Sequence, residues 1–257
     1  MRKSRLIFAA IGAPGTAVIC AYLVLPPPRL LTDIAHYNPT INPDNFGILV
    51  NNKYFTLRPG TTFTYKSEAV WGTERREVAV SHETKKIMGI TTIIVRDRIW
   101  WNDQLIDDTK DFYAQDKQGN VWYFGETVDN YQEGRIRDHS GSWEAGVDGA
   151  KPGIIMPKDP RAGDSYQHEH RKGYAEDIMT IVGLGKKVTV SLGTFENCLK
   201  VRDWSPLTWT STKYFCPDVG FAVVEEPALL GVQRTELVSV SSQQDRMDAP
   251  LDKSLNH

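Results

Sequence analysis

From Tyr54 to Val240 the chain alternates apolar and polar residues in short runs, and turn residues interrupt the alternation roughly every 10–18 positions. A period of two puts successive side chains on opposite faces of a strand, so one face of each run can be buried. Thr61–Tyr65, Glu77–His82, Ile90–Trp101, Leu105–Gln115, Asn120–Glu126 and Gly134–Trp143 form a first series. Asn102-Asp103-Gln104, Asp116-Lys117-Gln118-Gly119 and Gln132-Glu133-Gly134 connect its members, and such short turns join antiparallel neighbours. A loop with three prolines, Ala145–Gly163, separates it from a second series: Asp164–His170, Asp177–Val182, Lys187–Ser191, Phe195–Trp204, Trp209–Phe215, Phe221–Glu225 and Gln233–Val240. Only Gly173–Gly185 is contested between helix and strand. A dozen strands in meander order must curl or form two layers to bury a face. The predicted fold is therefore all-β, an antiparallel meander forming a curved sheet, a half-barrel or a two-layer sandwich. Residues 54–240 make one domain, preceded by a lead-in segment at 30–53 and followed by a polar tail at 241–257.

One N-terminal transmembrane helix is predicted ahead of this domain, within an anchor at 1–29. Arg2, Lys3 and Arg5 precede an uncharged run from Leu6 to Leu25, closed by Pro26-Pro27-Pro28-Arg29. At about 1.5 Å rise per residue the run is roughly as long as a bilayer's hydrocarbon core is thick. A cleaved signal peptide is the alternative, but its apolar stretch is usually shorter and ends in a small-residue cleavage site. The basic flank keeps the N-terminus in the cytoplasm and sends the β-domain across the membrane, into the bacterial periplasm. Ala9, Ala13, Ala17 and Ala21, with Gly12 and Gly15 beside them, make a small-residue stripe of the kind that lets membrane helices pack closely.

Setting aside Arg2, Lys3, Arg5 and Arg29 leaves 26 of the 30 basic residues against 32 acidic ones, a formal charge of −6. That balance argues against nucleic acid as a partner. Cys198 and Cys216 flank the turn Ser205-Pro206-Leu207-Thr208 symmetrically, so a hairpin folded there sets them opposite each other. In an oxidising compartment they form a disulfide; a one-residue slip leaves two thiols.

Asn51-Asn52-Lys53-Tyr54-Phe55-Thr56-Leu57-Arg58-Pro59-Gly60-Thr61, Phe112-Tyr113-Ala114-Gln115-Asp116, Gly141-Ser142-Trp143-Glu144-Ala145-Gly146-Val147-Asp148-Gly149 and Pro152-Gly153-Ile154-Ile155-Met156-Pro157 together resemble a family of uncharacterised bacterial secreted or membrane-anchored proteins. That resemblance brings no activity. Val190-Ser191-Leu192-Gly193-Thr194-Phe195 and Asp218-Val219-Gly220-Phe221 are similar to hairpins of periplasmic lipoprotein-carrier-like proteins, which implies a half-barrel with an apolar concave face.

Candidate chemistry is sparse. His168 and His170, two apart on a strand, point the same way and could give two ligands of a zinc or copper site, with His139, Glu176 or Asp177 as a third. A solvated strand face is the simpler reading. Asp107, Asp108 and Asp111 read as a solvated, aggregation-guarding edge, with weak calcium binding as the alternative. Glu144 and Asp148, beside Trp143 in a glycine-rich loop, are the one pair with the makings of a hydrolase's acid and base. Adjacent strand residues face opposite ways, so Trp100 and Trp101 cannot share one core; with Trp122, Trp204 and Trp209 they are candidate interface aromatics. The expectation is a non-catalytic, cofactor-free accessory or scaffolding subunit of a cytoplasmic-membrane complex, with other integral membrane proteins and the lipid bilayer as partners. A binder of lipid or another apolar ligand in a half-barrel is the alternative, and an envelope hydrolase using Glu144 and Asp148 the second.

Overall fold

The computed structural model describes residues 37–69, 71–205, 208–228 and 231–242. The expected span at Leu6–Leu25, with its alanine and glycine stripe, lies outside these residues. Among them no helix is long and apolar enough to cross a membrane, and helix is confined to one 3-10 turn at Pro43–Asn45.

The described residues form eighteen strands: β1 (Phe46–Gly47), β2 (Val50–Asn52), β3 (Phe55–Leu57), β4 (Thr62–Ala69), β5 (Gly72–Ile87), β6 (Ile90–Trp101), β7 (Gln104–Asp116), β8 (Val121–Gln132), β9 (Arg135–Asp138), β10 (Trp143–Glu144), β11 (Lys151–Met156), β12 (Ser165–Gln167), β13 (Glu169–His170), β14 (Ile178–Val190), β15 (Gly193–Ser205), β16 (Thr208–Cys216), β17 (Gly220–Ala228) and β18 (Gly231–Ser241). β4 to β8 and β14 to β18 are two antiparallel meanders, and β18 pairs with β4 to join them, Ser241 opposite Thr62. The two ends of the resulting sheet are β12, beside β14, and β13, beside β11. Those two short strands are consecutive in the chain, with only His168 between them. One strap, residues 165–170, thus carries the sheet nearly back onto itself.

The result is an antiparallel, nearly closed barrel, more closed than a half-barrel and without the two separate layers of a sandwich. Bulges supply the curvature: register shifts occur between Val80 and Thr84 along β5–β6 and between Asp111 and Tyr113 along β7–β8. Alternation decides what lines the inside. On β4, Phe63, Tyr65 and Ser67 are buried while Thr62, Thr64 and Lys66 are less so. The fully buried core includes Tyr65, Tyr123, Phe124, Met179, Leu199, Phe215 and Leu237, drawn from both meanders.

The stretch expected as a lead-in is, from Tyr37 onward, built into the barrel. Its β2–β3 hairpin lies across one end of the barrel as a plug. Asn52 Nδ2 donates to the carbonyls of Gly119 (3.0 Å) and Pro157 (3.1 Å), and Gln115 Oε1 accepts from the backbone of Asn51 and Asn52. On the far side the Asp218 amide donates to Lys53 O at 3.0 Å. The plug pushes Phe55 inward onto Tyr113, ring centroids 5.1 Å apart.

Two local expectations fail for identifiable reasons. Asp177–Val182 and Lys187–Ser191 are one strand, β14, because Gly183 sits at register shifts that let the ladder continue through a kink. The proline-rich loop Ala145–Gly163 contains β11, whose Ile154 and Met156 pair with Trp122 and Val121 of β8.

Candidate binding site in the barrel interior

Above the plug the barrel holds a cavity of about 80 Å³, partly open to solvent. Phe55 and Leu57 of the plug form its floor; Phe63, Tyr65, Tyr113, Phe215 and Phe221 give aromatic walls. Tyr65 and Phe221 stack at 4.5 Å, and the Tyr65 hydroxyl donates to Phe221 O at 3.1 Å. Burial pushes that phenol well above its usual range, so it stays a neutral donor.

Charged side chains reach the same cavity from opposite walls. Arg76 on β5 forks onto Asp97 on β6, with Nε to Oδ1 at 2.8 Å, and its guanidinium lies 5.1 Å from the Phe221 ring. Asp111 on β7 accepts from the Tyr123 hydroxyl at 2.5 Å. Lys213 on β16 binds Asp203 on β15, and His168 Nε2 meets the other Asp203 oxygen at 3.0 Å. Burial pushes the Asp203 carboxyl up, but Lys213 and then His168 outweigh it and hold the group well below the ordinary carboxylate range. Near it, burial raises the Asp177 carboxyl against the pull of His168. Higher in the barrel Glu74 is raised by burial despite Arg76, with Thr235 Oγ1 donating to it at 3.3 Å. The interior is thus apolar below and ion-paired across its middle. This is a smaller and more polar space than the continuous apolar concavity expected, because closing the barrel turns charged strand faces inward.

The residues singled out in the sequence are dispersed. Glu144 binds Lys85 at 2.6 Å, whereas Asp148, 68% exposed at its side chain, binds Arg171 at 2.9 Å. Neither lines the cavity. The two carboxylates pair with different cations. The strand carrying the histidines breaks at His168, where pairing passes from β14 to β11. His168 is consumed by Asp203, while His170 packs on the Tyr37 ring at 5.2 Å, its basicity lowered by burial and then by Lys151. His139 Nδ1 lies 2.8 Å from Asp129. No cluster of His, Cys, Asp or Glu among the described residues is arranged to hold a metal.

The aspartates of β7 are not a solvated edge. β7 runs between β6 and β8, so Asp108 and Asp111 are buried and need partners. Arg96 Nε donates to Asp108 at 2.8 Å, and Thr109 Oγ1 donates to Asp107 at 2.6 Å. Trp100 is half-buried under neighbouring side chains of its own sheet, with Arg75 at 3.6 Å and Arg98 at 5.0 Å from its ring. Trp101 packs over Gly72. Trp122 donates from Nε1 to Asp116 at 2.8 Å, and Trp204 is half-buried. Trp209 lies on β16, with its side chain outside the described set. Among the described residues the exposed tryptophan is Trp71, at the β4–β5 turn, which the sequence reading passed over. Cys198 and Cys216 are joined by a disulfide; they extend the register that sets Leu199 opposite Phe215.

Sequence reasoning missed Arg76, Asp97, Asp203 and Lys213. The signal was a charge in phase with apolar positions: Arg76 with Val78 and Val80, Asp97 with Val95, Asp203 with Val201, Lys213 with Phe215.

No family model matches the chain, and no curated protein matches it. Among solved structures, a protein of Parabacteroides distasonis described as a lipoprotein is similar at a TM-score of 0.42 and 13% identity, over 74% of this chain and 99% of that one. A Bacteroides fragilis protein described as exported and of YmcC-like fold is similar at 0.41 and 12%, over 74% of this chain and 100% of that one. Likeness at this level carries no functional assignment.

Proposed function

We propose that this chain is a non-catalytic, membrane-tethered barrel of an extracytoplasmic compartment that holds a small neutral ligand, apolar with one hydrogen-bonding end, in its interior. The observation that carries the reading is the cavity: aromatic walls over a plugged floor, bounded by charged groups that already have partners. With Arg76 on Asp97 and Lys213 on Asp203, a charged ligand would find no free counter-charge among these groups against the aromatic walls. A hydroxyl or carbonyl adds only one hydrogen bond. The compartment is argued from the disulfide, which needs oxidising surroundings, and the tether from the apolar run behind a basic flank.

The test is native mass spectrometry of the full chain released from detergent micelles, with 1-octanol as the probe. Wild type is expected to retain one octanol. Val95→Phe, which fills the cavity at a cost of about 1–3 kcal/mol from overpacking, is expected to retain none while keeping its far-ultraviolet dichroism. Absence of octanol from wild type, or equal retention by a folded Val95→Phe, overturns the reading.

An accessory subunit of a larger membrane assembly is the second reading. It is favoured by Trp71 and Val232, 71% and 67% exposed, at hairpin turns on the same end of the barrel. Trp71→Ser should then release integral membrane proteins that co-purify with wild type in mild detergent; a chain purified alone counts against it.

A further inference from the structure

The barrel is closed unequally. On one flank the strap holds β14 through three register pairs, Ser165 with Thr180, Tyr166 with Met179 and Gln167 with Ile178. The His168 and Glu169 amides add bonds to Asp177 O at 3.0 and 3.3 Å, and His168 reaches Asp203 on β15. On the other flank the ladder has only two pairs, Lys151 with His170 and Pro152 with Glu169, and Pro152 has no amide hydrogen to give. Further ties there are peripheral: Arg171 to Asp148 at 2.9 Å, the Gly141 amide to the Tyr174 hydroxyl at 2.9 Å and His170 on the Tyr37 ring. Beside the two pairs Gly153 lets the two backbones meet without any side chain between: a Cβ there would lie 2.2 Å from Gln167 O.

The strap is also where burial is least compensated. Gln167 Oε1, His168 Nδ1 and His170 Nδ1 are buried and make no hydrogen bond within the protein. For His168 the nearest carboxylate on that side, Glu169 Oε1, is 3.9 Å away. Groups in this condition favour any motion that hydrates them. The strap's ends suit such a motion, since Gly163 and Gly173 have φ of +95° and +72° with open space around the Cα. Ile155 on β11 and Met179 on β14, one on either side of the strap, both line the cavity.

We propose that the β11–β13 junction is a lateral gate: the strap stays on β14 and parts from β11, opening a side passage to the interior. The passage serves the ligand-binding role proposed above and rests on it for its purpose; the opening itself does not. His168 keeps Asp203 during the motion, so no ion pair of the interior is broken.

Hydrogen exchange on the full chain in detergent tests the opening. Peptides covering 151–156, on the side that parts, are expected to exchange at least about tenfold faster than peptides covering 165–169, which stay bonded to β14, and than peptides covering 93–99 and 121–128. A Lys151→Cys/His170→Cys pair, made in a Cys20→Ser background, should lock the junction when oxidised and remove that difference, while each single cysteine leaves it. Equal exchange in the unlocked protein, or a lock without effect, overturns the gate. Octanol uptake followed by native mass spectrometry tests the passage: locking should slow it at least about tenfold, and reduction should restore it. Unchanged uptake with slowed exchange rules out this route. If no form takes up octanol, the ligand reading falls while the exchange contrast still decides the opening.

Discussion

Asp203 and Glu74 both point into the barrel, and their surroundings act on them in opposite directions. Asp203 is held below the ordinary carboxylate range, so its contribution to stability is complete above about pH 4, the unfolded value, and is lost as pH falls further toward its folded value. Glu74 is raised by burial, so the native state binds its proton more tightly than the unfolded chain does. Its charge therefore begins to cost stability as pH climbs from about 4.3, the unfolded value, through the raised one. Glu74→Gln keeps an acceptor for Thr235 and removes that cost. Thermal melts should show a higher midpoint than wild type at pH 7.5 and no advantage at pH 4; a lower midpoint at pH 7.5 would mean that the charge is needed by Arg76. At this scale the sequence was only half readable. Charges in phase with valines were visible, but which aspartate meets which cation depends on register, and a one-residue slip turns each of them outward.

Elements show the same division. β6 was delimited by its alternation alone, since Asn102 and Asp103 end it with positive φ in a tight turn. β14 was split in two by its glycines, and β11 was hidden among prolines, because its pairing with β8 overrides poor local propensity. The plug was invisible: residues 30–53 read as a lead-in segment, yet Asn52 is buried and ties two loops together. Asn52→Ala should cost about 1–3 kcal/mol by leaving the Gly119 and Pro157 carbonyls without their donor. If the plug is the cavity's floor, the same variant should also weaken octanol retention; unchanged stability and retention would deny it that role.

For the whole molecule, strand content and meander order followed from the sequence, while closure did not. Closure depends on two long-range events that no local pattern encodes: the pairing of β18 with β4, and a strap from mid-chain whose halves belong to opposite sides of the sheet. A chain ending at Ala228 keeps every other hairpin but presents two long unpaired edges. It is expected to aggregate in size-exclusion chromatography, where the full chain elutes as a discrete species.

The β4–β18 ladder also sets a timetable. Thr62 must wait for Ser241, roughly 180 residues later, before its strand has a second neighbour. A ribosome or translocon delivering this polypeptide from its N-terminus therefore releases an unfinished cylinder until nearly the last segment emerges, and something must shield that raw border in the meantime.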